Sequence, residues 1–87
     1  MKVVAINRII EAQTLYPDAY ECIYGWYQIM SQGEFKSEQS LKSTFGNLTG
    51  VNHRFEFPIP ETDLLVHTLI NFESQVAYID KISPSSL

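Results

Sequence analysis

Two histidines, His53 and His67, are the side chains of this chain best suited to move a proton, because an imidazole can serve as a general acid or base near neutral pH. We take His53 as the candidate acid or base. His67 lies in the most apolar stretch, where a hydrogen-bonded core histidine is expected. A metal pair would need a third ligand at a fixed position, and no such motif occurs. With no nucleotide fingerprint or glycine-rich phosphate loop either, we expect neither a metal nor a cofactor.

Three basic side chains, Lys36, Lys42 and Arg54, are candidates for contacting RNA phosphates. The alternative is that the lysines are solvated surface charges and that Arg54 is a cross-strand or rim residue. The chain has 6 Lys and Arg against 10 Asp and Glu, a formal net charge of −4. Since phosphate neutralisation supplies most non-specific affinity for nucleic acids, an acidic chain is a poor default binder of RNA or DNA.

The composition predicts one globular domain over residues 1–87. Apolar residues make up 45% of the 87 residues and aromatic residues 13%, which suits a small chain that must bury a large area per residue. No apolar run approaches the length of a membrane span. The single cysteine, Cys22, can form no internal disulfide and is compatible with a reducing cytosol. We therefore expect a cytoplasmic protein without a membrane segment.

Two helices are predicted in the first third of the chain. Residues 8–16 form the first, with Asn7 as its N-cap. Residues 19–32 form the second, with Asp18 as N-cap and Gly33 as the stop. Its apolar positions recur with a 3.6-residue period and make one stripe, in which Trp26 is expected to belong to the core. They are Ala19, Cys22, Ile23, Trp26, Ile29 and Met30.

The last third changes to the period-2 pattern of strands. Strands are expected over residues 51–59, 64–72 and 75–82, and the second, apolar on both faces, is the central one. Residues 3–5 are a candidate edge strand, Ser37 caps a short helical turn over residues 38–42, and the tail after residue 82 is expected to fray. The predicted fold is α+β, with two N-terminal helices packed on a three- to four-stranded antiparallel sheet.

Segments spread over residues 4–79 resemble, in order and spacing, the HigB toxins of the RelE/ParE-like superfamily. The matching pieces are Tyr16-Pro17-Asp18-Ala19, Trp26-Tyr27, the connection from Phe35 to Phe45, Arg54-Phe55-Glu56-Phe57, and the stretch from Asn71 to Ile79. The resemblance implies a RelE-like fold and a toxin of a type II toxin–antitoxin system. Such a toxin is an mRNA interferase that docks in the ribosomal decoding site, cuts mRNA and inhibits translation, and a helix-turn-helix antitoxin silences it.

The chain also departs from the family pattern. Asp80 stands where the family has a basic residue, Leu65 replaces a frequent arginine of the central strand, and residues 83–87 take the place of a segment with His and Tyr-Asp. By resemblance, Lys36, Lys42 and Arg54 are carried over from the family's basic set. We take Arg54 together with His53, the candidate acid or base, as catalytic residues, and Lys36 and Lys42 as RNA-binding residues. Losing one cationic donor at a reacting phosphate typically slows cleavage ~10²–10³-fold, so we expect weakened activity.

Three functional hypotheses follow. The first is an active mRNA interferase with a relocated site. The second is a weakened or inactive toxin homologue that binds an antitoxin or a second copy of itself, which would make it a protein-binding module and a possible homo-oligomer. The third is a decayed reading frame. The toxin component with weakened mRNA cleavage is the prediction that the sequence favours.

Overall fold

A five-stranded mixed sheet carries helices on one of its faces, and the computed structural model describes residues 1–85. The elements in chain order are β1 (Lys2–Val4), α1 (Ile6–Leu15), a 3₁₀ turn (Pro17–Ala19), α2 (Tyr20–Gln32), α3 (Glu38–Phe45), β2 (Thr49–Val51), β3 (Arg54–Pro58), β4 (Leu64–Asn71) and β5 (Val76–Pro84). The strand order is β1-β5-β4-β3-β2, so β4 is central, as predicted. The α+β class is confirmed.

The helix ends agree with the sequence signals at three places. Tyr16, which precedes Pro17, terminates α1, and the N–H of Gly33 bonds to the carbonyl of Ile29 at the end of α2. Ser37 caps α3, since its hydroxyl accepts from the N–H of Ser40 while the Ser40 hydroxyl accepts from the N–H of Ser37. This reciprocal capping box makes α3 a full helix of 8 residues, longer than the turn predicted.

Two predicted N-caps are wrong. Helix α1 begins at Ile6, two residues before the predicted start, and its cap position is Ala5 in the left-handed region with φ 71°. Asp18 lies inside the 3₁₀ turn, so Ala19 occupies the cap position of α2 and makes no side-chain cap bond. Pro17 explains the second case, because a proline is well suited to the first position of a helical turn.

The sheet differs from the predicted antiparallel sheet of three or four strands. It has five strands, and β1 pairs with β5 in the parallel sense. The expected strand over residues 51–59 is divided at Asn52, whose φ is 59°, and Asn52 and His53 make the turn of a β2–β3 hairpin. The direction of β1 depends on long-range pairing, and the division of the predicted strand depends on the left-handed conformation of Asn52. An alternating pattern encodes neither.

The end of the chain is also more ordered than expected. Strand β5 continues through Ser83 to Pro84, which lies opposite Leu64, and the N–H of Ser85 donates to the carbonyl of Asp63 at 2.6 Å. The prediction of a frayed tail is therefore wrong for residues 83–85. Residues 86 and 87, which belong to the same prediction, lie outside the described part of the chain.

The core lies between the helices and the inner face of the sheet. Trp26 of α2 meets Phe57 of β3 edge to face, with ring centroids 5.4 Å apart, and Phe45 of α3 meets the same ring at 5.0 Å. Such aromatic pairs contribute about 0.5–1.5 kcal/mol beyond the area they bury. Trp26 is buried, as predicted, and α3 is tied to the helix side of the sheet through Phe45.

No helix within residues 1–85 is both long and apolar enough to cross a membrane.

Candidate functional site

The sheet face turned away from the helices, which we call the open face, carries the polar side chains. Successive residues of a strand point to opposite faces, so Phe55 and Phe57 of β3 are buried while Arg54 and Glu56 are exposed. Residues directly opposite each other on antiparallel strands share a face. The register therefore places two rows across the open face: Thr49, Glu56, His67 and Lys81 in one, and Val51, Arg54, Leu69 and Tyr78 in the other.

Glu56 and His67 form an ion-pair contact across strands β3 and β4. Nδ1 of His67 lies 3.0 Å from Oε2 of Glu56, and the two side chains are 20% and 47% exposed, respectively. His67 is thus a half-buried residue of the open face and not the core histidine expected from its apolar neighbours. A neutral imidazole that carries its proton on Nδ1, toward this carboxylate, has a free lone pair on Nε2.

Arg54 stands next to this pair. A small cleft of about 60 Å³ is lined by Arg54, Glu56, His67 and Asp80 together with Leu69 and backbone of the two strands. Within residues 1–85 the Arg54 guanidinium has no carboxylate within ion-pair distance. An unpaired guanidinium offers up to five donors in a planar fork that matches a phosphate. The cleft therefore combines a free cation with a fixed imidazole.

Asp80 reaches the same cleft because of a bulge in β5. His67 faces Lys81 and Thr68 faces Ile79, so Asp80 has no partner on β4. Bulges of this kind re-aim a side chain and are common beside functional sites. The positions that depart from the HigB pattern, Asp80 and Leu65, both lie on or beside the open face, since Leu65 shares the face of His67.

The charge around the cleft is balanced. Arg54 and Lys81 supply two cations near the cleft, and Glu56 and Asp80 supply two carboxylates. A phosphate chain approaching the cleft meets no net positive field, so electrostatic attraction is weak there. The arrangement can hold one phosphate group through Arg54 and exchange a proton through His67, but it cannot gather RNA by charge alone.

His53 lies at the tip of the β2–β3 hairpin and is exposed. It lines a separate shallow cleft of about 390 Å³ with Leu69 and Tyr78, and its backbone carbonyl accepts a hydrogen bond from the N–H of Ile70 at 2.8 Å. His53 precedes Arg54 in the chain but is not among the residues that line the Glu56–His67 cleft. The structure thus brings Arg54 together with His67.

The two candidate RNA-binding lysines belong to the other layer. Lys42 is on α3, and its Nζ lies 2.9 Å from Oε2 of Glu38 one turn earlier. Lys36 is exposed on the connection before α3. Because α3 packs on the helix side of the sheet, neither lysine shares a face with Arg54.

Sequence reasoning missed Glu56 and His67 as a pair. The alternation of β3 does place Arg54 and Glu56 on one face, and that signal was available. The register between β3 and β4 could not be read from the sequence. A shift of one residue would turn His67 into the core.

Within the described residues, no three His, Cys, Asp or Glu side chains are grouped in a way that could hold a metal ion. A scan against protein-family models and a search of curated proteins both find no match for the chain.

Proposed function

We propose that this chain is a toxin homologue of the HigB type, with a RelE-like arrangement, that cleaves ribosome-bound mRNA weakly through the open face of its sheet. The observation that carries the proposal is the unpaired Arg54 beside the Glu56–His67 contact of 3.0 Å. The α+β architecture and the sequence resemblance over residues 4–79 support it. Such a protein would act in the cytoplasm on translating ribosomes and would be silenced by a helix-turn-helix antitoxin.

The proposed reaction needs no metal. Nε2 of His67 takes the proton of a ribose 2′-hydroxyl, the 2′-oxygen forms a bond to the adjacent phosphorus, and the bond from phosphorus to the 5′-oxygen breaks. The leaving 5′-oxygen takes up a proton from water or from the ribosome-bound substrate complex. Arg54 stabilises the additional negative charge on the phosphate oxygens, and Glu56 holds the imidazole and stabilises its protonated form. The products are a cyclic 2′,3′-phosphate and a 5′-hydroxyl.

The same geometry explains why activity is weak. Asp80 places a carboxylate in the cleft where negative charge develops, and Leu65 contributes no cation to the central strand. The ribosome compensates in part, because it positions the mRNA and pays the orientation cost. Lys36 and Lys42, on the helix layer, are then candidates for contacting ribosomal RNA and not the scissile phosphate.

A ribosome-dependent cleavage assay on a defined mRNA tests the proposal. Arg54→Ala should lower the single-turnover cleavage rate by about 10²–10³-fold. His67→Ala should cause a comparable loss, whereas Lys42→Ala should weaken ribosome binding with little change in the single-turnover rate. Glu11→Gln, an exposed charge on α1 in the helix layer, is the control with unchanged activity. Circular dichroism of each variant confirms that it folds.

Two results would count against the proposal. The first is wild-type protein that neither cleaves mRNA in this assay nor slows growth when expressed alone. The second is an Arg54→Ala variant that cleaves as fast as the wild type.

The balanced charge around the cleft and the net charge of −4 favour a second candidate function. In this case the chain is an inactive toxin homologue that serves as a protein-binding module for an antitoxin or for itself. It predicts harmless expression without an antitoxin and co-purification with the product of an adjacent helix-turn-helix gene. Harmless expression without such a partner, in a chain that stays monomeric, would contradict it.

A further inference from the structure

A groove runs along the side of α2 on the helix layer, away from the open face. It consists of two clefts. The first, about 340 Å³, lies beside Leu15, Asp18, Ala19, Asp63 and Leu64. The second, about 250 Å³, lies beside Cys22, Gly25, Trp26, Ile29 and Phe45. Glu61 lines both, and we call the two clefts together the α2 groove.

The groove has the shape of a peptide site. Its helical wall is formed by Ala19, Cys22, Trp26 and Ile29, which recur at the spacing of one helix face. Its other wall is the loop that leads from β3 to β4. Ala19 and Trp26 are seven positions apart, which corresponds to ~10 Å along a helix axis. Two side chains seven positions apart on a partner helix are also separated by ~10 Å along its axis.

The groove is bordered by exposed apolar side chains and is unfilled. Leu15 is 71% exposed and Ile29 is 48% exposed, values high for large aliphatic side chains in a chain this small. A Cβ added at Gly25 would meet no atom within 4 Å, so there is open space at the centre of the second cleft. The exposed side chains and the open space beside Gly25 leave room for an occupant.

The charge of the groove selects the occupant. Asp18, Glu61 and Asp63 line it, and no Lys or Arg of residues 1–85 lines either cleft. Exposed carboxylates around an apolar floor attract cations and repel anions. A second copy of this chain is a poor occupant, since its own net charge is −4.

We infer that the α2 groove binds a basic, amphipathic segment of a partner protein, which inserts two apolar side chains into the two clefts and sets Arg or Lys against Asp18, Glu61 and Asp63. The inference does not depend on RNA cleavage by the open face. It assigns a protein-binding function to the opposite layer of the molecule.

The chain supplies its own reporters for a test. Trp26 is its only tryptophan and Cys22 its only cysteine, and both line the second cleft. The probe is a synthetic amidated helical peptide of about four turns. It has two leucines seven positions apart on one face, with arginines beside them. The matched control peptide carries glutamate in place of each arginine. Binding is measured by Trp26 emission and by the rate at which an uncharged maleimide modifies Cys22.

The arginine peptide should shift the emission of Trp26 and slow the modification of Cys22, and the glutamate peptide should do neither. Gly25→Leu should fill the second cleft and weaken binding at least about tenfold. Glu61→Gln and Asp63→Asn should each weaken binding about two- to five-fold, an effect that salt diminishes. Glu73→Gln, an exposed carboxylate on the β4–β5 turn, is the control that leaves affinity unchanged.

Three outcomes would overturn the inference. The first is that the two peptides bind equally, or that neither changes the Trp26 and Cys22 signals. The second is that the Glu61 and Asp63 variants bind the arginine peptide as tightly as the wild type does. This comparison is valid even if Gly25→Leu does not fold. The third is that sedimentation detects self-association of the wild type and that Gly25→Leu abolishes it. A second copy of the chain would then be the occupant. RNA cleavage by Gly25→Leu at the wild-type rate, with lost peptide binding, separates this inference from the proposed function.

Discussion

The side-chain amide of Gln75 forms a two-way hydrogen-bond contact with the backbone of Phe35, forty positions earlier in the chain. Its Oε1 accepts from the N–H of Phe35 at 3.2 Å, and its Nε2 donates to the carbonyl of the same residue. Nε2 also donates to the carbonyl of Phe72 at 2.8 Å. The Gln75 side chain therefore satisfies both backbone groups of Phe35. These bonds link the connection between α2 and α3 to the turn between β4 and β5.

Gln75→Ala should lower the free energy of unfolding by about 2–3 kcal/mol, because Phe35 is buried and its N–H and carbonyl would lose their partner. Gln75 has φ 57°, a left-handed conformation that glycine adopts without strain. Gln75→Gly should thus be less destabilising than Gln75→Ala by about 1 kcal/mol. Urea unfolding followed by Trp26 fluorescence measures both. Equal stability of the two variants and the wild type would show that the contact contributes nothing.

Ser37→Ala should destabilise the protein by about 1 kcal/mol, since it removes the hydroxyl that caps the Ser40 N–H at the start of α3. Ser43, an exposed residue of the same helix, provides the control. Ser43→Ala should leave stability unchanged or raise it by a few tenths of a kcal/mol, because alanine has the higher helix propensity. The measurement is the urea midpoint. A Ser43 variant less stable than the Ser37 variant would refute the assigned cap.

Gly25→Ala and Gly50→Ala should change stability in opposite directions. A Cβ at Gly25 meets open space in the middle of α2, so alanine should stabilise by about 0.5–1 kcal/mol through helix propensity. A Cβ at Gly50 would overlap the ring of Phe55, which is fully buried and cannot move away. Overpacking of this kind costs about 1–3 kcal/mol. Thermal unfolding of both variants tests these two predictions. A stabilising effect of Gly50→Ala would show that the Phe55 ring does not lie against Gly50.

The Glu56–His67 contact should show a measurable coupling in a double-mutant cycle of Glu56→Gln and His67→Asn. Because Glu56 is 47% exposed, solvent screens the pair, and we expect a coupling of about 0.2–1 kcal/mol that decreases with added salt. The control cycle combines Glu56→Gln with Ser43→Ala, an exposed residue of α3 in the helix layer. A coupling no larger than in the control cycle would mean that the two side chains do not meet in solution.

Several features were readable in the sequence because they are local. Ile23, Trp26 and Met30 of the predicted stripe form the buried face of α2, whereas Ile29 of the same stripe is 48% exposed, and Gly33 marked the end of the helix. The apolar run over residues 64–72 identified the central strand. Helix periodicity and the alternation of a half-buried strand depend on neighbours a few positions away, so one sequence suffices to recognise them.

Other features required the tertiary structure. The parallel pairing of β1 with β5 joins segments more than 70 positions apart, the register of β3 with β4 brings His67 opposite Glu56, and the bulge in β5 brings Asp80 to the same cleft. Arg54 was recognised as a candidate from the sequence, but its partner was taken to be His53. The sequence by itself determined which residues are apolar, helical or extended, because those properties follow from local spacing. Only the folded sheet decided which polar side chains meet, because strand register is set by the whole core at once.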